Sequence, residues 1–298
     1  MKSDVVIRPG GAALCLDPKT ITVFLDASPS GQKRAEHAVA LAKRWDAYLV
    51  GVHIVFAGVT LPPSLCYARG HAGIAHAIAF ERHLDAVAEA AATQVGDHFR
   101  SLCATRNVRG EFRPIGRAKT AEEAVINALQ SDLVVIGHPE PNGLPDDILP
   151  ERLLLTSSVP ILIVPNAWEG ETIGDMVLIG WNGTRQARRA VADSMTFLVA
   201  AKSVTVLVID SAERRRRSEE SGADIALRLA RHGVQVDVEQ VTSQGASIAQ
   251  VILRHAEQSA SDLLVVGAYS HTRLRRLLLG GVTRALLAQM PVPVLISR

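Results

Sequence analysis

The residues whose types and spacing indicate binding chemistry lie in one loop near the C-terminus. A short apolar run ends at Gly267, and a polar loop containing Arg273 and Arg276 then leads to the adjacent Gly280 and Gly281, where helical apolar spacing begins. Glycine lets a backbone approach an anion closely, and the free N–H groups at a helix N-terminus point toward it. The pattern predicts a phosphate-binding loop in which the two arginines pair with the outer phosphates.

This loop differs in spacing from the Gly-x-x-x-x-Gly-Lys-Ser/Thr and Gly-x-Gly-x-x-Gly phosphate motifs. It resembles the signature of the universal stress protein family, Gly-x2-Gly-x9-Gly-Ser/Thr. Gly267 holds the first position, Ser270 replaces the second glycine, nine residues lead to Gly280, and Gly281 replaces the usual hydroxyl residue. The resemblance implies that the loop binds an adenine nucleotide, either ATP or AMP, with Mg²⁺ as a further candidate.

The first turn of the following helix supplies more candidate ligands. Gly281 and Val282 offer backbone N–H groups, and Thr283 retains a side-chain hydroxyl close to the position where the family has Ser or Thr. We therefore expect these three residues to complete the phosphate side of the site.

Three segments of the first half recur in the same order in the second half, so the chain contains one unit twice. Residues 21–28 match 177–184, residues 132–137 match 262–267, and residues 159–164 match 292–297. The repeats predict two domains, residues 1–168 and 172–298, each of ordinary domain size. The resemblance covers nearly the whole chain, apart from the first twenty residues and an insert near residues 57–80.

The alternation of strand and helix patterns predicts an α/β protein. Each half reads as a doubly wound parallel sheet of five strands, Rossmann-like and similar to the adenine nucleotide alpha hydrolase fold. The last strand of each half, residues 160–164 and 293–297, is short, apolar and free of the charges that usually blunt an edge strand. We expect the halves to pack through these strands as an intramolecular pseudo-dimer, and a homodimer of the whole chain is a further expectation.

Finer expectations concern single elements. Residues 80–100 and 185–200 are each expected to form one helix, with a second-half helix over residues 222–232. A less buried strand is expected over residues 234–241, where apolar and polar residues alternate.

Ligands of such open sheets bind beyond the carboxyl ends of the strands, where the strand order reverses. Asn182, Val208 and Gly267 all lie at the carboxyl ends of predicted strands of the second half. The resemblance implies that Asn182, Gly183 and Thr184 contact the base or ribose, because the family has Asp-Gly-Ser there. Aspartate only accepts hydrogen bonds, whereas asparagine also donates them, so the contact is expected to survive in altered form.

The corresponding loop of the first half is degenerate. Counted forward from the preceding strand, Pro150 and Glu151 stand opposite the two closing glycines, whereas counting back from the last strand places Asp147 and Ile148 there. Either way the glycines are absent and carboxylates stand near the phosphate position, where like charges repel. We expect no working triphosphate site in this half. Asp26 either holds a base or ribose or simply caps the end of the first strand.

Two functions from different classes remain open at this point. The first is a universal stress protein that binds ATP or AMP in its C-terminal domain and acts as a stress-response sensor or regulator. The second is a stress protein that binds no nucleotide and works through dimerisation and protein contacts. Neither a Walker-type lysine nor a catalytic triad pattern is present, so at most slow ATP hydrolysis is expected and no catalytic residue is assigned.

Composition restricts the partners and the compartment. The net charge of +2 is too small to indicate nucleic-acid binding, and no apolar run approaches membrane-spanning length. The spacing of Cys66, His71 and His76 does not suggest a metal site. The odd number of cysteines, three, favours reduced thiols, and we expect a cytoplasmic protein.

Overall fold

The structure, a computed structural model, describes residues 17–55, 71–116, 120–138, 150–210, 215–268 and 281–298. Strands and helices alternate along the chain, as the sequence predicts. In chain order they are β1 (Thr20–Leu25), α1 (Pro29–Trp45), β2 (Tyr48–Ile54), α2 (His71–Arg106), β3 (Gly110–Ile115), α3 (Thr120–Leu129), β4 (Leu133–Gly137), α4 (Pro150–Ser157), β5 (Ile161–Val164), β6 (Met176–Trp181), α5 (Arg185–Asp193), α6 (Met195–Ala200), β7 (Ser203–Asp210), α7 (Arg215–Arg231), β8 (Val236–Thr242), α8 (Ile248–Gln258), β9 (Leu263–Gly267), α9 (Gly281–Gln289) and β10 (Val294–Ser297).

The strands of the described residues form one continuous sheet in the order β3-β2-β1-β4-β5-β10-β9-β6-β7-β8. Within each half all neighbouring strands are parallel. The strand order therefore reverses between β1 and β4 in the first half and between β6 and β9 in the second. These two switch points are where an open α/β sheet leaves a crevice at the carboxyl ends of its strands.

An antiparallel pairing between β5 and β10 joins the halves. Leu295 lies opposite Leu162 at the centre of this ladder, flanked by the pairs Val294–Ile163 and Ile296–Ile161. All of these side chains are buried, so both faces of the joint contribute to the core. The predicted packing of the halves through their last strands is confirmed.

Helices cover both faces of the sheet, and each face has one apolar core that runs across the two halves. The first face carries α1 and α2 beside α5 to α7, and the second carries α3 and α4 beside α8 and α9. Across the halves, the Trp45 ring packs edge-to-face on Phe197 at 4.7 Å, and His138 Nε2 donates to the Leu287 carbonyl at 2.6 Å. None of the helices in the described residues has both the length and the apolar character needed to cross a membrane.

One carboxylate in each half ties the start of the first strand to the start of the fourth. Asp262 accepts hydrogen bonds from the backbone N–H groups of Gly174, Asp175 and Met176 at 2.8–3.1 Å and from the Thr172 hydroxyl at 2.9 Å. The matching residue of the first half is Asp132, which is exposed and whose carboxylate accepts hydrogen bonds from two backbone N–H groups. This interaction explains why the aspartate recurs at the head of the repeated segment.

Three element boundaries differ from the predictions. The expected helix over residues 185–200 is two helices separated at Ser194, whose backbone (φ −96°, ψ 2°) leaves the helical region and whose hydroxyl donates to the Val191 carbonyl at 3.2 Å. Helix α2 begins at His71, inside the predicted insert, and α7 begins at Arg215 rather than at residue 222. The prediction of a less buried third strand is confirmed by β8, which is exposed along most of its length.

Replacing Asp262 by Ala is expected to destabilise the protein by about 3 kcal/mol or more, because three backbone donors lose a charged acceptor at a buried position. The matched change Asp132→Ala removes an exposed acceptor of two donors and is expected to cost about 1–2 kcal/mol. Urea unfolding followed by circular dichroism measures both. Equal losses for the two variants would contradict the structural role given to Asp262.

Candidate functional site

The second-half switch point brings three of the predicted site residues to one edge of the sheet. Val208 pairs with Trp181 across β7 and β6, and β9 ends at Gly267 beside β6. Asn182 follows Trp181 directly, so the sequence expectation that these positions share an edge agrees with the strand register.

Asn182 and Thr184 form a tight turn between β6 and α5. The Asn182 side-chain oxygen accepts from the Thr184 backbone N–H at 3.2 Å and from its hydroxyl at 2.7 Å. The Thr184 hydroxyl in turn caps α5 by accepting from the Ala187 N–H at 3.3 Å. Gly183 lies between them at φ +68°, a conformation that favours glycine. Since the Asn182 oxygen serves the turn, its amide N–H groups are what it has left to offer a ligand.

Gly267 allows α5 to pack directly on the end of β9. A Cβ atom built at this glycine would lie 2.4 Å from the backbone nitrogen of Ala187 and 2.4 Å from the carbonyl carbon of Gln186. Those are rigid backbone atoms, so no other residue fits here without moving the helix. The first signature glycine therefore has a packing role in this chain, whatever it does for a ligand.

The start of α9 lies after β9, as the sequence predicts. A Cβ built at Gly281 would meet no atom of the described residues within 4 Å, and Val282 is 40% exposed, so the described part of the chain leaves open space beside the first turn of the helix. Thr283 is 6% exposed, which gives its hydroxyl less access than the sequence suggests. The other predicted loop residues lie outside the described part of the chain; they are Ser270, Arg273, Arg276 and Gly280.

In the first half, Asp26 occupies the position of Asn182 and forms the same turn. Its Oδ1 accepts from the Ser28 N–H at 2.9 Å and from the Ser28 hydroxyl, which caps α1. Its Oδ2 accepts from Arg34 at 3.1 Å. Of the two roles considered for Asp26, the strand-end cap is present in the structure.

The pKa of Asp26 reflects these contacts. Burial alone raises the pKa of this carboxyl group, but the Arg34 charge and the hydrogen bonds from Ser28 outweigh that effect and hold it below its ordinary value. Asp26 is therefore ionised at neutral pH.

Arg34 fills the first-half switch point, and sequence reasoning did not identify it. Its side chain is 3% exposed and donates to the Phe24 carbonyl at 2.8 Å. A Cβ built at Gly137, the last residue of β4, would lie 2.2 Å from the guanidinium. The repeat alignment places Ala190 at the position of Arg34, so the only available signal was a cation in one copy where the other has a small apolar residue.

The closing glycines of the second half have no counterpart in the first. Helix α4 begins at Pro150 and α9 begins at Gly281, so Pro150 corresponds to Gly281 when the two helix starts are aligned. This correspondence lies between the two obtained from the sequence, which placed Glu151 or Ile148 opposite Gly281. The proline has no backbone N–H to offer an anion. The two switch points thus differ in both the crevice and the helix that follows it.

Comparison with known proteins gives a consistent assignment. Residues 187–298 match the model of the universal stress protein family. A universal stress protein of Synechocystis sp. is 25% identical over 153 residues, and the match spans about half of this chain and half of that relative.

Solved structures agree over a larger part of the chain. A universal stress protein of Archaeoglobus fulgidus superposes with a TM-score of 0.63 at 15% identity, covering 94% of this chain and 98% of that one. A Pseudomonas aeruginosa protein described as a universal stress protein gives a TM-score of 0.55 at 16% identity, covering 94% and 93% of the two chains. At these identities the likeness establishes the fold of both halves.

The sequence match over residues 187–298 and the shared fold along the chain lead to one conclusion: the second half carries a region similar to the universal stress protein family, within a chain whose fold is that of solved universal stress proteins.

Proposed function

We propose that the C-terminal half binds an adenine nucleotide, ATP or AMP, and that the protein acts as a stress-response sensor or regulator. The base and ribose contact Asn182, Gly183, Thr184 and Val208 at the ends of β6 and β7. The phosphates lie between the end of β9 and the first turn of α9. Ser270, Arg273, Arg276 and Gly280 are the residues of the intervening loop that we assign to this site from the sequence.

The observation that carries the proposal is the convergence of three strand ends and one helix start at the second-half switch point. Val208 lies near the end of β7, Asn182 directly follows β6 and Gly267 ends β9. Gly281 begins the next helix, and a Cβ there would meet no atom of the described residues within 4 Å. Backbone N–H groups at such a helix start are suited to an anion. The half that has this arrangement is also the half that matches the family model.

Asn182 is expected to act as a hydrogen-bond donor in the proposed site. Its side-chain oxygen serves the turn, so it meets the ligand as a donor, whereas an aspartate in the same turn would have a second oxygen to offer. A ribose oxygen or a ring nitrogen of adenine is a suitable acceptor. We assign no catalytic group and expect at most slow hydrolysis of the bound nucleotide, which suits a sensor of nucleotide level.

A substitution at Gly281 tests the phosphate position. Gly281→Val is expected to leave the fold intact, because the added atoms enter open space, and to weaken ATP binding at least tenfold by obstructing the helix start. Gly116→Val is the matched control, since a Cβ at Gly116 likewise meets no atom within 4 Å among the residues that the structure describes but lies in the first half. Isothermal titration of ATP and of adenosine into the wild type and both variants measures the effect.

The outcomes of this titration separate the candidate functions. Loss of ATP affinity in Gly281→Val alone, with adenosine less affected, supports the proposal. Unchanged ATP affinity in a folded Gly281→Val protein places the phosphates elsewhere. If the wild type binds neither compound, the function through dimerisation and protein contacts becomes the better account.

The asymmetry of the switch points predicts a stoichiometry of one nucleotide per chain. The first-half crevice holds the Arg34 guanidinium, and Pro150 replaces the N–H at the helix start, so ATP finds neither space nor donors there. Calorimetry of the wild type is expected to give a value near one. Two equivalent sites per chain would contradict this prediction and would require Arg34 to leave its buried position.

A further inference from the structure

A cleft of about 570 Å³ lies between the first half and the segment that connects the two halves. Helix α1 and the end of α2 form one wall, and residues 168–171 of the connecting segment form the other. The volume falls in the range of roughly 300–1,000 Å³ that is typical of small-molecule sites, which often lie where two domains meet. None of the lining residues belongs to the proposed nucleotide site.

The inner surface of the cleft is apolar. Val39 is 1% exposed, and Leu102 and Trp168 are partly buried side chains that pack against the core of the same face of the sheet. Burial of apolar surface against these side chains is favourable. A suitable ligand therefore has an apolar body.

Trp168 has a hydrogen-bond donor without a partner. Among the residues that the structure describes, its indole Nε1 is the one buried side-chain nitrogen or oxygen that lacks a hydrogen-bond partner. The Gly170 backbone lies against the edge of the indole next to this N–H, because a Cβ built there would be 2.6 Å from Cε2, the ring carbon bonded to Nε1. A buried donor without an acceptor destabilises a protein, so a ligand that supplies an acceptor here is favoured.

The charged side chains around the cleft determine the charge of the ligand. Burial lowers the pKa of His37, which is therefore neutral at pH 7 and contributes no charge. A net charge of +1 matches a single negative charge, whereas a polyanion such as a triphosphate would be repelled by the carboxylates. That net charge comes from four cations and three carboxylates, which are Lys33, Lys43, Arg44, Arg106, Glu36, Glu169 and Glu171.

Two of the four cations already have partners within the chain. Lys33 forms an ion pair with Glu169, which connects α1 to the other wall of the cleft. Arg44 donates to the Ala200 carbonyl at 3.0 Å and lies 4.0 Å from the Asp175 carboxylate. These two cations are therefore less available to a ligand.

The other two cations, Lys43 and Arg106, form no hydrogen bond or ion pair with the residues that the structure describes. Each lies in the last turn of its helix, Lys43 in α1 and Arg106 in α2. An arginine offers a carboxylate two parallel hydrogen bonds, and a lysine adds a second positive charge. A carboxylate is therefore the anion that best suits this end of the cleft.

The second half does not repeat this arrangement. In the repeat alignment the positions of Lys43 and Arg44 carry Val199 and Ala200. The other wall comes from the segment between β5 and β6, which lies outside the repeated unit. The cleft thus belongs to the junction of the two halves and not to the unit that they share.

We propose that this junction cleft binds a small monocarboxylate with an aromatic or aliphatic body. The carboxylate pairs with Arg106 and Lys43, an oxygen of the ligand accepts from the Trp168 indole N–H, and the body packs on Val39 and Leu102. Access to the indole N–H requires a shift of residues 169–171. The ion pair between Glu169 and Lys33 opposes that shift only weakly, because their side chains are 77% and 43% exposed.

Four matched probes test the class of ligand. 3-Phenylpropionate is a monoanion at pH 7, 3-phenylpropan-1-ol is its neutral analogue, 3-phenylpropan-1-amine is a cation, and phenylsuccinate is a dianion. We expect saturable binding of 3-phenylpropionate in ligand-observed NMR, with a Kd on the order of 1 mM as expected for so few atoms. The alcohol and the amine are each expected to bind at least fivefold more weakly, and phenylsuccinate no more tightly. Equal or tighter binding of the alcohol or the amine overturns the preference for an anion, and tighter binding of phenylsuccinate overturns the preference for a single charge.

Substitutions of the two available cations test the location. Lys43→Gln and Arg106→Gln each remove one positive charge at an exposed position, so the fold is expected to persist. Each is expected to weaken 3-phenylpropionate binding at least threefold. The control Arg82→Gln makes the same change at an exposed position of α2 outside the cleft and is expected to leave binding unchanged. An equal loss in Arg82→Gln overturns the proposed location, because the effect would then come from overall charge.

Two further variants leave the charge of the cleft unchanged. Ala40→Leu adds bulk at an exposed lining position of α1, and Trp168→Phe keeps an aromatic ring but removes the indole N–H. Both are expected to weaken 3-phenylpropionate binding at least threefold, with circular dichroism as the folding control. ATP binding is expected to stay unchanged in both, since the nucleotide site is separate and the two proposals fail or succeed independently. Unchanged binding in folded Trp168→Phe overturns the role of the indole N–H. Unchanged binding in folded Ala40→Leu and Arg106→Gln, or no saturable binding to the wild type, overturns the proposal.

Discussion

The antiparallel ladder between β5 and β10 is the constraint on which the rest of the structure depends. It is only a few residues long, yet it converts two five-stranded sheets into one sheet with a continuous core on each face. The helices beside it must then pack across the joint, as Trp45 does on Phe197. Because both strands are buried and lack charge, neither would be stable as an exposed edge, so each half needs the other to complete its core.

The two halves share one topology, but different groups occupy their two switch points. In the second half, α5 packs backbone-to-backbone against Gly267. In the first half, the Arg34 guanidinium takes up the space beside Gly137 and pairs with Asp26. Arg34 is buried and Asp26 is partly exposed, so removal of Asp26 would leave the buried Arg34 charge without this carboxylate. The first-half crevice is in effect closed by the protein itself.

Much of the fold could be predicted from local pattern. Apolar runs identify the strands, and the repeated segments identify the two halves. The absence of charge in residues 160–164 and 293–297 correctly indicates the joint. The break at Ser194 could not be predicted in the same way, because the apolar spacing of α5 continues across it into α6. At the break the Ser194 hydroxyl donates to the Val191 carbonyl, and such local hydrogen bonds of serine compete with regular helix.

The site was less predictable, because its contacts join residues distant in sequence. Nothing near Arg34 in the chain indicates that it reaches Gly137, and the turn that engages the Asn182 oxygen becomes evident only from its geometry. The packing role of Gly267 is hidden in the same way, because a signature glycine suggests a ligand before it suggests a neighbouring helix. Residue type therefore predicts where the candidate site lies, but not which of its polar groups already have hydrogen-bond partners within the chain.

The direction of the central ladder has a consequence for how such a chain can change over time. Since β5 and β10 run in opposite directions, the carboxyl ends of the two sets of strands lie on opposite edges of the sheet, and their crevices face away from each other. In a dimer of identical subunits every substitution appears in both copies, so a gain at one crevice is imposed on the other. When the two copies belong to one polypeptide, a substitution in one copy leaves the other unchanged. One crevice can accumulate an arginine and a proline while its counterpart keeps its glycines, and the shared sheet still holds the pair together.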